Sequence, residues 1–263
     1  MNAPAVSVII PVFNVREYLP RVVESLKSQS ASTDSWEAVF VDDCSPDGSL
    51  DLLKILTDGH KNMRVISRES NGGLSAARNT GIEASDGRYI AQLDGDDMLL
   101  PHSVDMLLRR MKENPSMEYF YSSHTRINEE GVIIGERKSE PYVPKNLLHY
   151  NFVGHLKGYS RELNDAIGGF RDVYAEDWDH IIRASEVISD REVCQIPESL
   201  YLYTIRDGSI VTSTSRAKKV KDLSTFLVPH IKKSVGSPVE LFFSHTTPEK
   251  YAYYDWREVK DVE

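Results

Sequence analysis

The chain has 263 residues, and its 31 Lys and Arg against 40 Asp and Glu give a formal net charge of −9. This length allows one large α/β domain with or without an appendage, and the acidic balance argues against a nucleic-acid binder, which would present a basic face. Cys44 and Cys194 form no CxxC pair, so we expect no zinc site. Residues 1–4 lack the pattern of a signal peptide, and no apolar run reaches the ~18–20 residues of a membrane span. We therefore expect a cytoplasmic protein.

The first hundred residues alternate between strand patterns and helix patterns. Strands are predicted at residues 6–12, 38–41, 63–66 and 89–93, where short apolar runs are typical of strands covered on both faces. Helices are predicted at residues 16–29, 50–56 and 74–84, where apolar residues recur at helical spacing. This alternation indicates parallel strands joined by right-handed crossovers.

A polar loop follows each of the four strands. The loops are Phe13-Asn14, Asp42-Asp43, Asn71-Gly72-Gly73 and Asp94-Gly95-Asp96. Because the carboxyl ends of parallel strands share one edge, where ligands bind in open α/β sheets, the loops should converge on a nucleotide pocket. The chain has no GxxxxGK[ST] motif, and no GxGxxG follows the first strand, so neither a P-loop enzyme nor an NAD-type oxidoreductase is indicated.

The fourth loop places three carboxylates within four residues, at Asp94, Asp96 and Asp97. Their mutual repulsion favours a bound cation, and hard oxygen ligands suit magnesium or manganese, which keep coordination positions for substrate phosphates. Gly95 has no side chain, so another molecule can approach the backbone closely there. A solvated turn is the alternative. The apolar residues 98–100 exclude an EF-hand and fit an aspartyl-phosphate phosphatase poorly.

Together, the four loops resemble the family 2 inverting glycosyltransferases in order and spacing. The motifs are VIIPVFN at 8–14, VDDCSPDG at 41–48, NGGLSAARNTG at 71–81 and LDGDD at 93–97. The resemblance implies a GT-A fold, with a Rossmann-like and mostly parallel sheet flanked by helices. It also implies a nucleotide-diphosphate sugar as donor, most often a UDP-sugar, and a divalent metal such as manganese or magnesium.

The same resemblance assigns roles to the loop residues. The base would be held by Pro11, Val12, Phe13 and Asp43, and the diphosphate would lie along Asn71, Gly72 and Arg78. The metal would be bound by Asp96 with Asp94, and the ribose and sugar-phosphate would lie against Asp94 and Gly95.

The second half of the domain carries a motif at residues 168–183. After the turn Gly168-Gly169-Phe170, the segment Glu176-Asp177-Trp178 opens a predicted helix. Without further context Asp177 could be an N-cap or a partner of the helix dipole. The family resemblance implies instead that Asp177 is the general base, with Glu176 and Trp178 on the acceptor side. His155 is a further acceptor-side candidate, and a structural histidine is the alternative.

Other elements of this half are a helix at 104–111 and strands at 118–123, 132–134, 193–196 and 199–205. Residues 136–152 are predicted as a loop, either a surface connection or an acceptor lid. Residues 203–209 resemble a family loop that folds over the donor. Many members carry a histidine after the arginine of this loop, where Asp207 or Gly208 stands here, so a third protein ligand to the metal is left open.

The last fifty residues are predicted as a small helical and aromatic extension at 211–263, beside a GT-A domain at 1–210. That domain would have a nucleotide-binding half at 1–100 and an acceptor-binding half at 101–210. The basic stretch 215–233 indicates an amphipathic helix that docks on the domain, on a partner or on an anionic membrane surface. The aromatic residues after Gly236 would pack on the domain or on a second subunit.

The function that the family resemblance implies is metal-dependent, inverting transfer of a hexosyl or N-acetylhexosaminyl group. It also implies that the acceptor would be a hydroxyl of a glycan or glycolipid, in bacterial surface polysaccharide synthesis. A sugar-phosphate nucleotidyltransferase is a rival, but it would carry a glycine-rich loop with arginine and lysine after the first strand, which residues 13–15 do not provide. A nucleotide-sugar or glycan-binding relative without turnover is the second alternative.

Overall fold

The structure is a computed structural model that describes residues 3–206, 214–236, 239–243 and 254–258. Four parallel strands form its first half, in the spatial order β3-β2-β1-β4. They are β1 (Val6–Val12), β2 (Trp36–Asp42), β3 (Met63–Ser67) and β4 (Tyr89–Gln92). The connecting helices are α1 (Leu19–Lys27), α2 (Ser49–Thr57) and α3 (Gly73–Glu83). The predicted alternation of strands and helices in this half is therefore confirmed.

The sheet separates two apolar cores, and the alternation of side chains along β1 shows how. Val8, Ile10 and Val12 face the core that contains α1, whereas Ile9 faces the core that contains α3. Successive side chains of a strand point to opposite faces, so a strand of continuous apolar residues serves both cores. For this reason apolar and polar residues do not alternate regularly along residues 6–12.

The second half of the domain extends the same sheet with mixed strand directions. Its strands are β5 (Met98–Leu99), β6 (Tyr119–Ile127), β7 (Ile133–Arg137), β8 (Lys157–Ser160) and β9 (Val193–Thr204). Its helices are α4 (Ser103–Glu113), α5 (Arg161–Ile167) and α6 (Glu176–Ser185), with short 3-10 helices at Pro144–Leu148 and Asp190–Glu192. The described part of the sheet has the order β3-β2-β1-β4-β8-β6-β9-β5, and β7 pairs with β6.

Three features of this half differ from the sequence prediction. The strands predicted at 193–196 and 199–205 form one strand, β9, which shifts its register against β6 around Pro197, a residue without a backbone N–H. The short strands β5 and β8 were not predicted, because two and four residues carry too little periodicity. Part of the loop predicted at 136–152 is a 3-10 helix, Pro144–Leu148.

Strand β8 runs antiparallel between β4 and β6. At its centre a Cβ atom on Gly158 would lie 2.2 Å from the carbonyl oxygen of Ile90 and 2.2 Å from the Phe120 ring. Such approaches are far inside van der Waals contact, so only glycine fits at this position. The close approach brings Lys157, the preceding residue, to the end of β4.

The C-terminal segment begins with α7 (Arg216–Val235). Leu223, Phe226, Leu227 and Ile231 of α7 are buried in the core that contains α6, so of the three docking surfaces considered for this helix, the structure shows the domain. Because the domain covers that apolar face, the face is not open to a membrane or a partner. Two further strands, β10 (Val239–Phe243) and β11 (Tyr254–Glu258), pair antiparallel. Residues 207–209 of the loop predicted to fold over the donor, and residues 244–253 of the predicted aromatic extension, lie outside the described residues.

None of the helices within the described ranges has both the length and the apolar character that crossing a bilayer requires.

Candidate active site

A cleft of about 680 Å³ opens at the carboxyl edge of the parallel strands. It collects nearly all the predicted site residues, from six separate segments of the chain. They are Pro11, Val12, Phe13, Asp43, Asn71, Arg78, Asp94, Gly95, Asp96, His155, Glu176, Asp177 and Trp178. Gly72 is the exception among the predicted residues, because it does not line the cleft and contributes a backbone N–H to Asp43 from behind.

Asp43 marks one end of the cleft and is held by the loop after β3. Its carboxylate accepts hydrogen bonds from the backbone N–H of Gly72 at 3.0 Å and of Gly73 at 2.8 Å, and it pairs with Arg68. Asp43 itself is 2% exposed. These bonds fix the carboxylate while leaving part of its acceptor capacity for a ligand. Arg68 was not singled out from the sequence, because only the tertiary fold brings it to Asp43.

Arg78 joins the two halves of the domain inside the cleft. Its guanidinium donates to Asp94 at 2.7 Å and also pairs with Glu176, and it lies over the Phe170 ring at 5.3 Å. Burial alone would lower the pKa of Arg78, but the charges of Glu176 and Asp94 raise it above its ordinary value. Arg78 and Glu176, predicted on the diphosphate and acceptor sides respectively, thus belong to one ion-pair network.

The loop after β4 brings its three carboxylates close together, as predicted. Asp97 is 1% exposed and accepts hydrogen bonds from the Tyr201 hydroxyl and the Thr204 backbone N–H, both at 2.7 Å. Asp96 pairs with Arg206. Burial and the nearby charge of Asp94 raise the pKa of Asp96, while Arg206 opposes this shift. Repulsion between these closely spaced carboxylates costs free energy, and a bound divalent cation would reduce that cost.

The donor set also fits such a cation. Within the described ranges no group of three or more His, Cys, Asp or Glu side chains could hold a metal by itself. The loop therefore offers one or two carboxylates, Asp96 and Asp94. Magnesium is usually bound in this way, by one or two carboxylates together with substrate phosphates and water.

Asp177 lies opposite this loop, at the start of α6. The helix begins directly after Ala175, a residue with φ 58° and ψ 48° in the left-handed region, and its N-terminal dipole favours the carboxylates of its first turn. Asp177 pairs with Lys157 and accepts a hydrogen bond from the Asn151 amide at 3.4 Å. Burial alone would raise the pKa of Asp177, but the Lys157 ammonium and Arg78 hold it below its ordinary value.

Lys157 is a cleft residue that the sequence analysis missed. Its side chain is 3% exposed. The signal in the sequence is slight: a lysine stands between Leu156 and Gly158-Tyr159, where a buried strand would otherwise have an apolar residue.

His155 and Trp178 line the cleft on the side predicted for the acceptor. His155 stacks on Tyr201 and Tyr203, with ring centroids 4.9 and 5.3 Å apart, and burial lowers its pKa well below the ordinary value. Trp178 is 4% exposed, and its indole N–H donates to the Leu147 carbonyl oxygen at 2.8 Å. Most of the Trp178 ring is therefore part of the core.

An α/β sheet with a carboxylate-rich loop at its strand ends, and a separate carboxylate across the cleft, defines the class of GT-A glycosyltransferases. The chain belongs to Glycosyl transferase family 2, whose sequence pattern matches residues 7–168.

Comparisons with known proteins agree with this membership. The chain is 31% identical to chondroitin synthase of Escherichia coli over 189 residues, which are 71% of this chain and 27% of that protein. Four curated relatives are much longer than this chain, which spans 19% to 27% of their lengths.

Two solved structures show the shared fold. Staphylococcus aureus TarS in complex with UDP-GlcNAc matches with a TM-score of 0.72 and 20% identity, over 86% of this chain and 66% of that one. A mannosyltransferase from Pyrobaculum calidifontis, in complex with GDP-Man and Mn²⁺, matches with a TM-score of 0.63 and 18% identity, over 90% of this chain and 66% of that one. The predicted GT-A-like α/β fold is confirmed.

Proposed function

We propose that the protein is a metal-dependent, inverting glycosyltransferase that moves a sugar from a nucleotide-diphosphate sugar to an acceptor hydroxyl. One observation carries this proposal: Asp177 and the Asp94-Gly95-Asp96 loop line the same cleft from different elements. Arg78 contacts Asp94 on one side and Glu176, the neighbour of Asp177, on the other. A site with a cation loop for a leaving diphosphate and a separate base for an incoming alcohol suits glycosyl transfer.

The donor would lie along the edge of the parallel strands. Asp43, with the turn at residues 11–13, would hold the base, and Asn71 and Arg78 would lie beside the diphosphate. Asp96, with Asp94, would hold magnesium or manganese, which when bound supplies positive charge to the leaving nucleoside diphosphate. The complexes of TarS with UDP-GlcNAc and of the Pyrobaculum enzyme with GDP-Man and Mn²⁺ support this placement by analogy.

The acceptor would enter from the side of Asp177. Its hydroxyl oxygen bonds to the anomeric carbon while the bond from that carbon to the diphosphate oxygen breaks, and Asp177 accepts the hydroxyl proton. A single displacement of this kind inverts the configuration at the anomeric carbon. General-base assistance contributes typically ~10²–10⁴ in rate.

The finer assignments rest on the relatives. We propose a UDP-linked hexose or N-acetylhexosamine as donor, because TarS was solved with UDP-GlcNAc. We propose a glycan or glycolipid as acceptor, in bacterial surface polysaccharide synthesis, because a chondroitin synthase is among the relatives. The division into a nucleotide-binding half at 1–100, an acceptor-binding half at 101–210 and an extension at 211–263 is part of the same proposal.

A panel of nucleotide sugars tests the proposal. The protein is incubated with each donor and Mn²⁺, with and without candidate acceptors, and release of UDP or GDP is measured together with the anomeric configuration of the product. Asp177→Asn should retain UDP binding and lose ~10²–10⁴ in transfer rate, whereas Asp172→Asn, which changes an exposed carboxylate five residues earlier, should transfer normally.

Three outcomes would contradict the proposal. Full transfer by Asp177→Asn would remove Asp177 from the role of base. Pyrophosphate release from a sugar phosphate and a nucleoside triphosphate would indicate a nucleotidyltransferase. Donor binding without turnover across the panel would indicate a binding module.

A further inference from the structure

Two side chains hold Asp177 through the same oxygen atom. The Lys157 ammonium and the Asn151 amide both donate to Oδ2, the latter at 3.4 Å. Asn151 also lines the cleft, and its side-chain oxygen Oδ1 accepts a hydrogen bond from the Val153 backbone N–H. Neither Lys157 nor Asn151 donates to Oδ1 of Asp177, and the backbone N–H of Trp178 is a third donor to this carboxylate.

The pair of Lys157 and Asp177 is largely removed from water. The side chains are 3% and 21% exposed, respectively. Burying a lysine costs free energy unless it is paired and hydrogen-bonded. Lys157 belongs to β8, where its register partner on β6 is Tyr121, and it lines the cleft. The ion pair with Asp177 is the contact that compensates the burial of its ammonium.

Other charged and titratable groups face Asp177 from three elements. Arg78 approaches from α3, but it is engaged by Glu176 and Asp94. Glu176 and His180 belong to α6 itself, and burial keeps the pKa of His180 well below its ordinary value. Tyr119 faces it from β6, and burial raises the pKa of its hydroxyl well above the ordinary value. Neither His180 nor Tyr119 is charged near neutral pH, so Lys157 is the cation that contacts the carboxylate directly.

We propose that Lys157 is a positioning residue for glycosyl transfer: it keeps Asp177 ionised and fixes it through Oδ2, so that Oδ1 is left for the acceptor hydroxyl. This inference rests on the proposed function, because it takes Asp177 as the base. A carboxylate bonded to an ammonium is a weaker base than one without such a partner. In exchange, the ionised form persists to lower pH than it would without Lys157, although burial opposes ionisation.

The pH dependence of transfer distinguishes this role from a purely structural one. We would measure kcat/KM between pH 4 and 8 for the wild type, Lys157→Met, Lys157→Arg and Lys138→Met, using the donor found in the panel. A nearby opposite charge lowers a carboxyl pKa by ~1–3 units. The acid limb of Lys157→Met should therefore lie ~1–3 pH units above that of the wild type. Lys157→Arg keeps the charge and should keep the wild-type limb.

Lys138→Met is the matched control, because it removes one positive charge from an exposed position and should leave the profile unchanged. UDP affinity reports folding, and Lys157→Met should bind UDP as the wild type does. An acid limb of Lys157→Met that coincides with that of the wild type would overturn the proposal.

If Lys157→Met does not fold, Lys157→Gln, which also removes the positive charge, takes its place in the same comparison, with UDP affinity again reporting folding. An acid limb of Lys157→Gln that coincides with that of the wild type contradicts the proposal. The Asp177→Asn variant separates the two hypotheses. Full activity of that variant refutes the proposed function and the role of Lys157 with it, whereas an inactive Asp177→Asn with an unshifted Lys157→Met limb refutes the role of Lys157 alone.

Discussion

At the residue scale, Arg78 is the buried cation that connects the loop after β4 to helix α6. It is 4% exposed and pairs with both Asp94 and Glu176. Removing one partner from a buried ion pair leaves an uncompensated charge and costs ~3–5 kcal/mol. We expect Arg78→Met to lower the free energy of unfolding, measured by denaturant titration, by about this amount.

Two further variants make this prediction specific. The double variant Arg78→Met, Glu176→Gln should lose less stability than Arg78→Met alone, because one of the two stranded carboxylates is then neutral. Arg109→Met removes an arginine that is 65% exposed and paired with Asp105 on α4, and it should change stability by no more than ~1 kcal/mol. Equal losses for Arg78→Met and Arg109→Met would mean that the buried network does not stabilise the fold.

Asp96 is the main residue proposed to hold the metal ion beside the nucleoside diphosphate. We expect Asp96→Ala to lose the part of UDP affinity that depends on Mn²⁺, because it removes one of the two carboxylates proposed to hold the ion. Calorimetry with UDP, in the presence and absence of Mn²⁺, measures this directly. Asp58→Ala, at an exposed position after α2, should keep the full effect of the metal. Unchanged Mn²⁺-dependent affinity in Asp96→Ala would assign the ion to other ligands.

The sequence located the loop carboxylates and Arg78, which pairs with Asp94, but not the cations that pair with Asp43 and Asp177. Asp43 and Asp94 could be placed together, because the carboxyl ends of consecutive parallel strands meet at one edge. Arg68 and Lys157 reach Asp43 and Asp177 only through tertiary packing. No local pattern encodes such a pair, since the two partners lie on different elements and their spacing along the chain follows no period.

At the element scale, the position of β8 in the sheet, between β4 and β6, could not be predicted from the sequence. The first four strands follow one another as strand–helix units, and their alternation fixes parallel pairing. Strand β8 instead enters between β4 and β6 in the antiparallel direction. With four residues and Gly158 among them, it has neither the length nor the β-branched composition that identifies a strand.

The helix α7 permits an element-scale prediction. Leu227 is fully buried in the core shared with α6, and truncating a buried leucine to alanine typically costs ~2–5 kcal/mol. We expect Leu227→Ala to lower the free energy of unfolding within this range, with a single cooperative transition. Lys221→Ala, on the exposed side of the same helix, should have little effect. A Leu227→Ala protein as stable as Lys221→Ala would mean that α7 does not belong to the folded domain.

At the scale of the whole molecule, two fully buried histidines, His124 and His180, and the partly exposed His155 couple stability to pH. Burial lowers the pKa of His124 to about 3 and holds those of His155 and His180 well below the ordinary value. In the unfolded chain these histidines have the ordinary pKa of ~6.5. Between these values the unfolded state binds protons that the folded state does not, so stability falls as the pH drops below ~6.5. Asp97 and Glu176, whose pKa values burial raises, act in the opposite direction.

The contribution of His124 to the pH dependence of stability can be measured separately. It is fully buried, and neither of its ring nitrogens has a hydrogen-bond partner among the described residues, so phenylalanine can replace the ring without stranding a polar group. One histidine changes stability by at most ~1.4 kcal/mol per pH unit, or ~2 kcal/mol between pH 6.5 and 5. His124→Phe should therefore gain about 2 kcal/mol over the wild type on going from pH 6.5 to 5, in denaturant titrations at both values.

The comparison between variants makes this prediction independent of the other titrating groups. The contributions of Asp97, Glu176 and the other two histidines are common to wild type and variant, so they cancel in the difference. His102→Gln, at an exposed position before α4, should follow the wild-type curve at both pH values. If the stability difference between His124→Phe and the wild type is the same at pH 6.5 and pH 5, His124 gains its proton equally in the folded and unfolded chain. In that case the neutral, buried ring would not be a source of the acid sensitivity of the fold.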